Sequence, residues 1–239
     1  MKTNMNIRKR LLLGTSAVCL ISIALSSCVK LNNSEYYNPP SAFVTVIQAS
    51  PDEPNFDFYL DNDKVNSNIL GYGDYIDYFR AYARQRNAHF YTTGTMTPGF
   101  SDTVTFLPNY IYSLFLANKA SSPELVKLID TLNRPTSGNA SIRFVNLSPD
   151  APAVDLVVKN GATVVSNKTY KKHSSFVPVA GGTTYTFEVH QAGTGTVLAT
   201  LPTTTLNSGF VYTIWLQGLA TPTNGSDGLS AKIMINAQF

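Results

Sequence analysis

The sequence predicts an all-β protein built from two tandem antiparallel β-sandwich domains. A Ser-Pro-Asp-x-Pro segment occurs twice, at residues 50–54 and 148–152. Short apolar runs with two-residue alternation recur between turns rich in Gly, Asn, Pro and Ser. Each copy of the segment is followed by a run of such strands, about seven per domain, which is typical of an immunoglobulin-like sandwich. The 239 residues suit two domains of roughly 100 residues each.

Residues 1–27 resemble the signal peptide of a bacterial lipoprotein. They contain four basic side chains, an apolar run over residues 11–25, and then Leu25-Ser26-Ser27-Cys28. The resemblance implies cleavage before Cys28 and lipidation of that cysteine. The protein would then be anchored in the cell envelope, in the outer membrane of a Gram-negative bacterium. A transmembrane helix is the disfavoured alternative, because a span needs about 20 apolar residues.

The mature chain is divided by its turn-rich segments. Residues 28–41 form a tether, residues 42–132 the first module, residues 133–140 a linker, and residues 141–239 the second module. The remaining cysteine, Cys19, lies inside the signal peptide, so no disulfide is expected within the mature chain. The hydrophobic cores alone must therefore stabilise the two modules.

The repeated segment predicts a structural turn. Its residues are Ser50, Pro51 and Asp52 in the first module and Ser148, Pro149 and Asp150 in the second. Proline presets φ for the second position of a type I turn, and the aspartate that follows can accept a bond from nearby backbone. We expect the two aspartates to be caps of these turns rather than ligands.

The strands of the first module follow from alternation. Phe56, Phe58 and Leu60 share one face of a strand over residues 56–61, and further strands are expected at residues 43–49, 75–82, 89–93, 103–106 and 110–117. Residues 123–132 also fit an amphipathic helix, because their leucines share a helical face. We predict a strand there, because the segment corresponds to the β-branched residues 231–239 of the second module.

Charge and motifs exclude several functions. Residues 41–133 carry 6 basic and 10 acidic side chains, and residues 134–239 carry 7 and 4. This asymmetry favours contact between modules or chains, or reflects two solvated surfaces that diverged. The three histidines lack metal-site spacing, and no nucleophile elbow, phosphate loop or dinucleotide fingerprint is present. We predict no enzymatic activity, cofactor, metal or nucleic acid.

One segment is unusually aromatic. Its candidate ligand or partner residues are Tyr72, Tyr75, Tyr78, Tyr82 and Arg84. Such a composition suits sugar stacking or a protein interface. The alternative is that these tyrosines pack within the sandwich or at the module junction. The corresponding segment of the second module, residues 169–176, is far less aromatic, so the fold does not require this feature.

Two Asp-Thr-aliphatic triplets, at Thr103 and Thr131, resemble the O-glycosylation sequon of exported Bacteroidota proteins. Ordinary strand edges are the alternative interpretation of these triplets.

The second repeated segment, Ser-Pro-Asp-Ala-Pro-Ala-Val-Asp after Ile142-Arg143-Phe144-Val145-Asn146, resembles domain-of-unknown-function family 4397. The resemblance extends over both modules, but the first module departs from it at Glu53, Asn55 and Phe56. It implies an exported β-sandwich and no active site. The sequence thus predicts a lipid-anchored envelope protein with a non-enzymatic interaction or spacer role. A carbohydrate-binding lipoprotein and an adhesin or fimbrial subunit are the alternatives, with an envelope protein or a glycan as partner.

Overall fold

The computed structural model describes residues 38–223 and 225–239, of which residues 39–239 form one compact unit. The described residues contain sixteen strands and no helix, which confirms the prediction of tandem β-sandwiches. The first module contains β1 (Ser41–Gln48), β2 (Phe56–Leu60), β3 (Asp63–Lys64), β4 (Tyr75–Tyr82), β5 (Gln85–Thr92), β6 (Pro98–Thr105), β7 (Ile111–Ala117) and β8 (Glu124–Ile129). The second contains β9 (Asn139–Asn146), β10 (Val154–Val158), β11 (Thr163–Lys168), β12 (Val177–Ala180), β13 (Thr183–Gln191), β14 (Val197–Leu206), β15 (Phe210–Gln217) and β16 (Ser230–Gln238).

Each module is a pair of four-stranded sheets, and the strand order is the same in both. The first module has an inner sheet, β4-β1-β7-β8, and an outer sheet, β3-β2-β5-β6. The second has an inner sheet, β12-β9-β15-β16, and an outer sheet, β11-β10-β13-β14. One hydrophobic core fills the space between the two sheets of each module. Residues 123–132, whose pattern also fitted an amphipathic helix, contain the strand β8, as predicted.

The sequence predicted antiparallel sheets, but each inner sheet contains one parallel pair of strands. β1 pairs in parallel with β7, and β9 pairs in parallel with β15. In each module this pair forms the middle of the inner sheet. The middle strands of such a sheet are buried on both faces, and accordingly β7 and β15 are buried along almost their whole length.

A third core joins the two inner sheets to each other. One cluster of buried residues contains Ile47, Phe115 and Leu128 of the first module together with Val145 and Trp215 of the second. Trp215 is fully buried, and its ring lies 6.5 Å from that of Phe115 between centroids. The sheets therefore stack in the order outer, inner, inner, outer, and the two modules share the apolar core between their inner sheets.

The shared interface also has a polar centre. Arg143 on β9 is 1% exposed, and its Nη1 donates to Asp130 Oδ1 at 2.6 Å. The same guanidinium donates to the hydroxyls of Ser113 and Thr213. A buried ion pair is stable only when its remaining hydrogen-bonding groups are satisfied. Asp130 follows β8 in the first module, so this network connects one module to the other.

A tyrosine corner occurs in both modules. The Tyr112 hydroxyl accepts a bond from the backbone N–H of Leu107, and the Tyr212 hydroxyl accepts one from that of Asn207. In both modules the bond spans five residues of the connection that precedes an inner-sheet strand. A tyrosine bonded to upstream backbone is a hallmark of immunoglobulin-type sandwiches.

Candidate functional site

The outer sheet of the first module presents three rings on its solvent-facing side. Tyr59 on β2 lies directly opposite His89 on β5, and Tyr91 lies opposite Asp57. The ring centroids of Tyr59 and Tyr91 are 5.3 Å apart in an edge-to-face arrangement. His89 and Tyr91 stack at 5.7 Å with an interplanar angle of 30°. The three half-buried rings thus form one continuous aromatic cluster, which we call the outer aromatic face.

Alternation along the strands produces this face. Phe58 on β2 and Phe90 on β5 point into the core, where their centroids lie 4.9 Å apart. Their neighbours Tyr59, His89 and Tyr91 must then point away from the core, because successive strand residues face opposite sides. The face is therefore held by a rigid, well-packed sheet.

Polar groups border the outer aromatic face. Ser101 Oγ on β6 lies 2.8 Å from His89 Nδ1. The carboxylate of Asp57 forms an ion pair with Lys64 at 2.8 Å and accepts a bond from the backbone N–H of Gly94. The hydrogen bond from Lys64 is the main cause that lowers the pKa of Asp57, and it outweighs the opposing effect of burial. This carboxylate is thus ionised and neutralised by its own neighbour.

A second charged group lies at the end of the same strands. Asp61 pairs with Arg84 and Arg86 through its Oδ2, and its Oδ1 accepts a bond from the backbone N–H of Asn87. Burial by itself would raise the pKa of Asp61, but the bonds from Asn87 and Arg86 lower it overall. Arg84, a predicted surface residue, is therefore exposed but already engaged with Asp61.

The structure divides the predicted aromatic segment into two groups. Tyr75 and Tyr82 on β4 are 38% and 51% exposed. Tyr78 instead belongs to the junction, because its hydroxyl donates to Asp130 Oδ2 at 2.5 Å and accepts from Asn236 Nδ2 at 2.8 Å. Burial and the nearby carboxylate of Asp130 both raise the pKa of Tyr78 well above its usual range.

Tyr72 also lies at the junction. Its hydroxyl is buried, and a Cβ at Gly218 of the second module would lie only 3.0 Å from it. Burial is the largest cause that raises the pKa of this phenol. Tyr72 and Tyr78 therefore pack at the module junction, and they do not share an open surface with Tyr75 and Tyr82.

The first copy of the repeated turn differs from its predicted geometry. Asp52 has a φ of 65°, which a type I turn does not have at the position after proline but a type II turn does. Its Oδ1 accepts a bond from the backbone N–H of Asp227, and Asp227 Oδ2 accepts one from the backbone N–H of Asp52. The carboxylate of Asp150 accepts from Ala220 and Thr221. Both aspartates bond backbone N–H groups, as caps do, but on the distant loop between β15 and β16.

The remaining residues of the repeated turn make local contacts. Ser50 and Ser148 are buried, and each backbone N–H donates to a side-chain amide oxygen two residues earlier, on Gln48 and Asn146 respectively. Pro51 is buried and Pro149 is partly exposed. The two copies of the turn therefore share their connection to the inner sheet.

A cavity of about 300 Å³ opens beside the buried ion pair. Arg143 lies at this cavity, and the ring of Phe176 lies 4.8 Å from its guanidinium carbon. Because Asp130 already neutralises Arg143, the cavity does not offer an unpaired positive charge. Within the described ranges, no three His, Cys, Asp or Glu side chains lie close enough to hold a metal ion.

The two predicted glycosylation threonines are exposed. Thr103 lies on β6, and Thr131 follows β8. Cys28, the predicted lipidation site, lies outside the described residues. No helix in the part of the chain that the structure describes is long and apolar enough to cross a membrane.

Comparison with known proteins supports the family resemblance over part of the chain. Residues 42–157 match the family model described as a domain of unknown function (DUF4397). This DUF4397 match includes the first module together with β9 and most of β10, and it contains both copies of the repeated turn. No curated protein matches the chain.

One similar solved structure is a module of family CBM26 from Eubacterium rectale Amy13K, determined in complex with maltoheptaose. The match covers 82% of this chain and 97% of the CBM26 chain, with 8% sequence identity and a TM-score of 0.26. A likeness at this TM-score carries no argument about the function of this chain.

The sequence reasoning missed the outer aromatic face. The pattern His89-x-Tyr91 within a strand was visible, and Tyr59 was expected opposite the core-facing side of its own strand. The pairing of β2 with β5, which brings these rings together, is a long-range contact that alternation does not reveal.

Proposed function

We propose that this chain is a lipid-anchored, non-enzymatic protein of the bacterial cell envelope, in which the two modules act as one rigid unit with an interaction or spacer role. The observation that carries the proposal is the buried interface between the inner sheets. Modules that moved independently would expose Trp215 and Phe115 to water and would separate Asp130 from Arg143. The unit therefore holds its outer faces in a fixed relation.

Further contacts around the interface support a rigid unit. Glu124 of the first module accepts bonds from the hydroxyl of Tyr170 and from Lys171 Nζ of the second. Burial would raise the pKa of Glu124, but these two partners lower it overall. Asp52 and Asp227 make a further reciprocal pair between the modules. Polar contacts thus surround the apolar interface on more than one side.

The anchor follows from the lipoprotein-like signal ending at Cys28. β1 begins at Ser41, so 12 residues, 29–40, lie between the lipidated cysteine and this strand. A fully extended tether of this length would span at most roughly 45 Å. The unit would accordingly remain close to the outer membrane. The exposure of Thr103 and Thr131 supports glycan attachment at these two sites.

A carbohydrate-binding role is the second candidate function. The observation that favours it is the outer aromatic face, because clustered tyrosines supply large, rigid contact area with polar tips. The face predicted from the sequence, around Tyr72 to Tyr82, retains only Tyr75 and Tyr82 as exposed rings.

Two measurements test the proposal. Metabolic labelling with a tagged fatty acid should label the wild-type protein, and Cys28→Ala should abolish the label. Thermal unfolding of the full chain should give one cooperative transition, because neither module can lose the shared core alone. Label retained in the variant would contradict the anchor, and two separate transitions would contradict the rigid unit.

A further inference from the structure

The outer aromatic face has no counterpart in the second module. At the positions of Tyr59 and His89, the second module has Val157 and Glu188, which are paired in the same way. At the position of Tyr91 it has His190, whose Nε2 lies 2.9 Å from Glu188 Oε2. The two outer sheets have the same topology, so the fold does not require rings at these positions. A local function accounts for them better than packing does.

The polar atoms at the edges of the rings are available to a ligand. Within the described chain, the hydroxyls of Tyr59 and Tyr91 make no hydrogen bond, and only Nδ1 of His89 has a protein partner. The face therefore presents aromatic surface together with two phenol groups and one imidazole nitrogen. A ligand that suits this arrangement has apolar C–H surface on its flat sides and hydrogen-bonding groups around its edge.

The two partly buried carboxylates beside the face are neutralised within the chain. Asp57 is paired with Lys64, and Asp61 with Arg84 and Arg86. An ionic ligand would gain no free partner from Asp57 or Asp61, and its own charge would lose hydration on the aromatic surface. Charge complementarity therefore favours an uncharged ligand.

We propose that Tyr59, His89 and Tyr91 form a binding site for a neutral sugar chain. A pyranose ring has a C–H face that stacks on an aromatic ring and a perimeter of hydroxyls that bond the phenols, the imidazole and Ser101. Tyr59 and Tyr91, whose centroids lie 5.3 Å apart edge to face, offer a sugar ring one combined aromatic surface. The inference deepens the proposed envelope role and rests on it for access to extracellular or periplasmic glycans.

Affinity electrophoresis of the full-length chain tests the proposal. The protein is solubilised in an oxyethylene detergent, because a sugar-based detergent would compete for the site. Native gels contain soluble starch, dextran, galactomannan or xylan as neutral probes, and polygalacturonate as a charged probe. At least one neutral polysaccharide should retard the wild-type protein, while polygalacturonate should not.

The variants locate the site. Tyr59→Ala and Tyr91→Ala should weaken binding roughly 5- to 150-fold, by analogy with the loss of one stacking ring. Tyr59→Phe keeps the ring and should stay within a few-fold of the wild type. Tyr82→Ala is the matched control, because it removes an exposed ring from the inner sheet. Thermal melts of each variant separate lost binding from lost folding.

Three outcomes would overturn the proposal. They are no retardation by any of the four neutral polysaccharides, unchanged binding in both alanine variants, and a larger loss in Tyr82→Ala than in Tyr59→Ala. None of these would affect the lipid anchor or the single unfolding transition, so the proposed function and this inference fail separately.

Discussion

The inner sheets of the two modules face each other, whereas the two outer sheets face solvent on opposite sides of the stack. The inner sheets carry complementary groups, with Asp130 and Tyr78 on one and Arg143 and Asn236 on the other. The outer sheets keep the same strand order but differ on their solvent faces. A repeated fold can therefore fix its inner surfaces for assembly and leave its outer surfaces free to diverge.

The solvent side of the second module illustrates this divergence. Val157, Glu188 and His190 hold the positions of the rings. Further along the same sheet, β13 and β14 carry threonines whose hydroxyls pair across the strands, Thr184 with Thr205 and Thr186 with Thr203. These polar pairs satisfy one another, whereas the phenols of Tyr59 and Tyr91 are unpaired within the described chain. The proposed sugar site accordingly lies on the first module alone.

The strongest test of this comparison removes the buried charge at the inner interface. Arg143→Ala should lower the free energy of unfolding by about 3–5 kcal/mol, because it leaves Asp130 buried without its cation. The exposed Arg84, which pairs with Asp61 beside the outer sheet, is the matched control. Arg84→Ala should cost at most about 1 kcal/mol, as is usual for a surface ion pair. Equal costs in urea titrations would contradict the distinction between inner and outer faces.

A smaller effect is expected from one hydroxyl on β4. Tyr78→Phe should lower the free energy of unfolding by about 1.5–3 kcal/mol, since it removes a hydrogen bond to the buried carboxylate of Asp130 and a partner of Asn236. Tyr75→Phe, on the same strand but with an exposed ring, should change it by less than about 0.5 kcal/mol. Urea unfolding of the two variants at neutral pH gives the comparison directly. If Tyr75→Phe cost as much as Tyr78→Phe, the distinction between an exposed and a junction-facing tyrosine on β4 would be wrong.

The smallest effect concerns acid stability at the outer sheet of the first module. The folded-state pKa of Asp57 is lowered, so its ionised form contributes stability above the unfolded pKa of about 4. That contribution is lost as the pH falls through the folded pKa. Asp57→Asn should therefore reduce the free energy of unfolding at pH 7 and flatten its decline on acidification. If the free energy of unfolding declined in parallel for the wild type and the variant between pH 5 and pH 2, the acid sensitivity would belong to other carboxylates.

Local pattern was sufficient for much of the architecture. Alternation located β1, β2, β4 and β7 to within two residues but only parts of β5 and β6. The repeated Ser-Pro-Asp-x-Pro segment indicated two modules. Comparison of the two copies also predicted correctly that residues 123–132 contain a strand, although their periodicity alone fitted both a helix and a strand. Strand propensity and alternation are properties of neighbouring residues, which a single sequence displays directly.

The candidate sites depended on contacts between distant residues. The residue type of Asp52 predicted a cap on nearby backbone, but its carboxylate accepts a bond from the backbone N–H of Asp227, 175 residues away. The sequence left Tyr72 and Tyr78 open between a binding surface and packing at the junction. Alternation reports which side of a strand a residue faces, and not which other sheet covers that side.

The sequence by itself determined the all-β fold, its division into two modules and the resemblance of residues 1–27 to a lipoprotein signal. Only the tertiary structure decided that the inner sheets share a core, that Asp130 meets Arg143, and that Tyr59 lies beside Tyr91. The physical reason is that strand pairing and sheet stacking depend on which surfaces are mutually complementary. Such complementarity is a property of two distant segments together.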